Sequence, residues 1–134
     1  MLEKAREIAI KLASFQDVSY EHLPNSKRFK MISKKGVKWS TRASKLGNIH
    51  YCDDHLKLVL DYPSMEITES DILEKLNLPK KDPRDRYSGF YIIKDTGLFD
   101  TVIILLYQDE LSEIDLNSSS LINFAVEIFN KSIR

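Results

Sequence analysis

Val102-Ile103-Ile104-Leu105-Leu106 is the stretch that decides the fold of this 134-residue chain. Side chains on an extended strand alternate faces, so five successive apolar residues make both faces hydrophobic. Such a strand belongs inside a sheet that is covered on two sides. It is far too short for a membrane span, which takes about 20 apolar residues in a helix. Working outward, residues 89–94 and 101–108 flank Asp95-Thr96-Gly97 and read as a hairpin over 89–108.

Two further hairpins precede it. Residues 49–52 and 56–62 pair around Asp53-Asp54, with Leu56, Leu58 and Leu60 on one face and Pro63-Ser64 ending the second strand. Residues 27–42 form another around Lys34-Lys35-Gly36, where glycine can take a left-handed conformation. Helices are expected at three places. Leu2, Ala5, Ile8, Ala9, Leu12 and Phe15 fall on one stripe of residues 2–15. Thr68 caps a short middle helix carrying Ile72, Leu73 and Leu76, with Asp71 well placed against the dipole and Pro79 beyond the end. Leu121, Phe124, Ala125, Ile128 and Phe129 mark a last helix over 119–132. Residues 17–26 and the acidic run 109–115 read as loops, and 79–86 as a polar linker within one domain. The expectation is a single α+β domain, a mainly antiparallel sheet of about six strands packed against N-terminal, middle and C-terminal helices.

Composition fits that class. With 43% hydrophobic and 30% charged residues and only four Gly and four Pro, the chain is neither disordered nor fibrous. Its single cysteine, Cys52, excludes an internal disulfide framework and suits a reducing compartment. The first residues are charged and amphipathic where a signal peptide needs an apolar core, so a cytoplasmic protein without a membrane partner is expected.

The net charge of zero conceals a split. Residues 1–45 hold 11 Lys/Arg against 4 Asp/Glu, and residues 46–134 hold 9 against 16. Eight of the cations lie between Lys27 and Lys45 with no acid among them. Pairing Ser33 with Val37 would put Phe29, Met31, Val37 and Trp39 on one face of the hairpin. Arg28, Lys30, Lys38 and Arg42 would share the other, with Lys34 and Lys35 at the tip. A ribbon of that kind suits phosphates, whose condensed counterions it displaces, or an acidic protein surface. It also suits a purely solvated face on which lysines discourage edge pairing. Phe29 and Trp39 fall on the core side, so this ribbon lacks stacking platforms and promises little base specificity.

A second constellation is His50-Tyr51-Cys52-Asp53-Asp54-His55. A two-residue turn at Asp53-Asp54 would set Cys52 opposite His55 and His50 opposite Lys57, on the face away from Tyr51 and Leu56. Imidazoles and a thiol are zinc ligands, and a thiolate beside histidines is a nucleophile. The spacing matches no established zinc pattern, however, and Asp-Asp lacks the glycine that tight hairpin turns favour. Gly89-Phe90-Tyr91-Ile92-Ile93 resembles the opening of a GIY-YIG nuclease, but no Tyr-Ile-Gly follows on the next strand. Asp61 and Asp100 lack the Glu-x-Lys of metal nucleases, and no Walker, dinucleotide or nucleophile-elbow motif is present.

Three functional expectations result. The leading one is a non-catalytic, cofactor-free protein that binds nucleic acid through Arg28, Lys30, Lys34, Lys35, Lys38 and Arg42. An inhibitor or immunity-type module that binds a charged partner is the alternative. A small enzyme centred on His50, Cys52 and His55, with or without a metal, ranks third.

Overall fold

A computed structural model describes residues 1–15, 17–34, 45–94 and 97–133. In chain order the elements are α1 (Leu2–Ala13), β1 (Val18–His22), β2 (Arg28–Ser33), β3 (Lys45–Tyr51), β4 (His55–Pro63), α2 (Glu69–Leu76), β5 (Gly89–Ile93), β6 (Phe99–Tyr107), α3 (Gln108–Ser112) and α4 (Ser120–Ile133). All six strands form one antiparallel sheet in the order β1-β2-β3-β4-β6-β5. The expected α+β class holds. The strand that decides it, β6, lies inside the sheet, with Leu58 opposite Ile104 on one side and Phe90 on the other.

Period-two alternation sorts the sheet into two unlike faces. Phe29, Met31, Ile49, Leu56, Leu58, Leu60, Phe90, Val102, Ile104 and Leu106 point to one face and are buried in a single core with residues of α1, α2 and α4. From α1 come Ala5, Ile8, Ala9 and Leu12, the 3/4 stripe expected of it. Phe15 lies beyond the helix and is exposed, because α1 stops at Ala13. The middle helix is capped as expected: Thr68 Oγ1 accepts from the Asp71 amide, and the Thr68 amide donates to Asp71 Oδ2, both at 3.1 Å. It ends on Asn77 at φ 55°, a left-handed cap that asparagine tolerates.

Among the described residues, no helix lies on the opposite face. Ile103 and Leu105 of β6 are nonetheless buried there, at 5% and 7% exposure. Neighbouring strands and a loop cover them, in place of the second layer expected from the apolar run. The register sets Ile103 between Val59 and Tyr91. Leu105 lines a cavity with Tyr91 and residues 83–86.

Four expectations change. Residues 17–26 contain β1, which pairs with β2 from Val18↔Ser33 to His22↔Phe29. Its edge position leaves Val18 as its one buried residue, so no apolar alternation marks it as a strand. The basic segment keeps its first arm as β2, but that arm is flanked by β1 and by β3, whose pairing with it runs from Arg28↔His50 to Ile32↔Lys45. The expected second arm, 37–42, lies outside the described residues. The acidic run contains α3, a short helix that buries Leu111. The linker 79–86 is part of the sheet edge: Lys81 N–H donates to Phe90 O and Phe90 N–H donates to Pro79 O. Lys81 itself is buried, donating to the Asp85 carbonyl with its ammonium 5.4 Å from the centre of the Tyr87 ring.

Close approach within the sheet explains one glycine. A Cβ on Gly47 would lie 2.5 Å from the Val59 carbonyl oxygen, so only glycine lets β3 sit this close to β4. Among the described residues, no helix is long and apolar enough to cross a membrane.

Candidate functional site

The helix-free face collects the basic groups. Directly paired residues share a face, so the pairs Arg28↔His50 and His50↔Lys57 form one row across β2, β3 and β4. Lys30 stands two residues along β2 from Arg28. Lys45 stands opposite Ile32, at the far end of β3. Arg28, Lys30, Lys45, His50 and Lys57 are all half-buried. Half-burial of the lysines is compatible with stems lying along the sheet and ammonium groups in water.

Glu21 of β1 stands directly opposite Lys30 on this face. Among the described residues, however, no carboxylate makes an ion pair with Arg28, Lys30, Lys45 or Lys57. Arg28 Nε is buried without a hydrogen-bond partner. Burial, followed by the charges of Lys57, Arg28 and Lys45, pushes the His50 imidazole below its ordinary value. Like charges directly opposite on a sheet cost stability, and a neutral His50 between Arg28 and Lys57 avoids that cost.

Asp61 lies on this same face of β4, with its Oδ1 accepting from Thr101 Oγ1 at 2.6 Å. Among ion pairs between described residues, Lys27 Nζ–Asp53 Oδ1 at 3.5 Å is the one that joins residues 1–45 to the remainder. Acids of the second half pair within that half: Asp54 with Arg86, Asp82 with Arg84, Glu69 with Lys80, Glu127 with Lys75 and Asp100 with Lys94. Cations on α1 lie elsewhere, with Lys4 donating to the Ile114 carbonyl and Lys11 to Asn117 Oδ1.

Of the six basic residues singled out from sequence, Arg28 and Lys30 lie on this face and Lys34 is exposed just past β2. Lys35, Lys38 and Arg42 are outside the described residues. Sequence reasoning missed Lys45 and Lys57 as members of the same surface. The signal for Lys57 was its place opposite His50, which was used only to weigh metal ligands. It also missed Tyr91 and Tyr107, half-buried aromatics on this face.

The expected register around Asp53-Asp54 does form, with His50↔Lys57, Tyr51↔Leu56 and the Cys52 amide donating to His55 O at 2.9 Å. It does not converge on a metal or a nucleophile. His50 faces three cations, which oppose a metal ion. His55 Nδ1 lies 2.7 Å from Asp54 Oδ1, and its ring packs 5.2 Å from that of Tyr107. These contacts with His55, and then with Arg86, hold the Asp54 carboxyl below its usual range. Cys52 Sγ makes no hydrogen bond among the described residues. Nor do the described residues hold any group of three or more metal-ligating side chains. His22 belongs to the other face, stacked on Phe29 with ring centres 4.4 Å apart.

No family model, curated protein or solved structure matches this chain. Function is therefore argued from this surface alone.

Proposed function

We propose that the chain is a non-catalytic binding protein that holds nucleic acid, with low sequence specificity, on the helix-free face of its sheet. Binding is also assigned to the neighbouring basic residues of the sequence: Lys34, exposed just past β2, and Lys35, Lys38 and Arg42, which are outside the described residues. The observation that carries the proposal is the row Arg28–His50–Lys57, in which two cations flank a neutral imidazole across three strands and neither makes an ion pair among the described residues. A phosphate backbone supplies the missing counter-charge, and binding gains from released counterions. Specificity is low because lysine charges on an open sheet meet phosphates, which position a partner without reading its bases. An acidic protein would use the same cations. The half-buried Tyr91 and Tyr107 on the same face favour nucleic acid, since bases stack on aromatic rings.

Fluorescence anisotropy with labelled mixed-sequence RNA and DNA at low salt tests this. Binding that weakens steeply with salt, and is lost when Arg28, Lys30 and Lys57 are changed to Glu, is the expected result. No binding to either polymer at low salt overturns it. A single co-purified protein whose complex depends on the same cations replaces it with the protein-interaction reading.

A further inference from the structure

Beside Lys57 the helix-free face deepens into a basin of about 310 Å³, lined by His55, Lys57, Tyr91, Leu105, Tyr107 and the loop 83–86. Small-molecule sites begin at about this volume. Here the lining includes the apolar Leu105, two tyrosines and an imidazole that already packs against Tyr107. Contacts tie the loop wall to the sheet and to itself. Arg86 Nη2 reaches Asp54 Oδ2 at 2.8 Å, Lys81 donates to the Asp85 carbonyl, and Arg84 is held by both oxygens of Asp82. A Cβ on Gly89 would lie 2.6 Å from the Pro79 carbonyl oxygen, so glycine lets the start of this loop press onto β5.

Those ion pairs decide what the basin recognises. Arg84 and Arg86 are compensated by Asp82 and Asp54, which leaves Lys57 as the lining cation without a partner among the described residues. One available cation beside two tyrosine rings in a mostly polar hollow suits a flat ring joined to a phosphate better than a run of phosphates. We infer that the basin takes an unpaired base, with Lys57 on its phosphate, so that this face selects single-stranded over double-stranded nucleic acid. A base inside a duplex is stacked on both sides and enters such a hollow only after unstacking. An unpaired base stacks on Tyr91 or Tyr107 without that cost.

The inference rests on the proposed nucleic-acid binding, and one experiment separates their failures. Affinities for a single-stranded oligonucleotide and for a hairpin duplex with the same number of phosphates are measured at one ionic strength. Three proteins are compared: wild type, Tyr91→Leu/Tyr107→Leu and Tyr91→Phe/Tyr107→Phe, each checked for folding by circular dichroism. Wild type should prefer the single strand by roughly five-fold or more per stacked base. The Leu variant should lose that preference with an unchanged salt slope, and the Phe variant should keep it. Equal affinity for both forms in wild type overturns the single-strand inference and leaves the broader proposal intact, as does a preference that survives in the Leu variant. Failure of wild type to bind either form overturns both.

Discussion

Arg28→Gln/Lys57→Gln is the perturbation whose outcome follows most directly from the geometry. Four cations of the helix-free face, Arg28, Lys30, Lys45 and Lys57, make no ion pair with a described carboxylate, though Glu21 stands opposite Lys30. If each neutralises one phosphate, the slope of log K against log salt for a single strand is about −2.8. Between 50 and 200 mM salt, affinity then falls about 50-fold. Contacts from Lys34, Lys35, Lys38 and Arg42 would steepen that value. Removing two charges brings the slope to about −1.4, and the loss over the same range to about 7-fold. His50 is not counted, because the depressed imidazole is neutral at the assay pH of about 7.5. The control is Lys4→Gln/Lys11→Gln, which changes net charge equally on α1, away from this face. Anisotropy titrations at four salt concentrations give the three slopes. A control slope that falls as far as that of the Arg28/Lys57 variant would refute the reasoning, since net charge and not the row would then govern binding.

Four further outcomes test the surrounding structure. Lys57→Thr should raise the His50 pKa only partway toward 6.5, because burial is the larger cause, and an NMR pH titration of the imidazole reads this directly. The same variant should lose less stability in acid. In wild type the unfolded chain takes up the His50 proton first as pH falls through 6.5, so folding weakens below that pH until the depressed native value is passed. Gly47→Ala should cost about 1–3 kcal/mol in urea denaturation, because its Cβ meets the backbone of β4 and no flexible side chain can yield. An unchanged midpoint would mean that β3 and β4 sit farther apart in solution. Met65 is 96% exposed with φ 73°, so Met65→Gly should gain about 0.5–1 kcal/mol from relief of the left-handed backbone.

The core was legible because its residues obey a period. Leu56, Leu58 and Leu60 alternate, α1 repeats at 3/4 spacing, and Thr68 with Asp71 announces a helix start. Elements stabilised mainly by position were not. Strand β1 carries one buried side chain, and its pairing with β2 arises from the sheet edge and not from its own pattern. Helix α3 hides behind acids because only Leu111 turns inward. The candidate site was half legible: Arg28 and Lys30 stand on the face that alternation assigned them. Lys57, 29 positions along the chain from Arg28, enters the row only through two strand registers, and local reading supplies just one of them. Tyr91 and Tyr107 were assigned to strands, yet their shared exposure to a basin depends on the return of residues 79–88 over β5.

The most direct test of the central claim is an amide chemical-shift map of the labelled protein titrated with a short single-stranded oligonucleotide at low salt. The account predicts perturbations concentrated at Arg28, Lys30, Lys45, His50, Lys57 and Tyr91, with α1 and α4 unmoved. Shifts confined to the helical side, or none at saturating oligonucleotide, would contradict it.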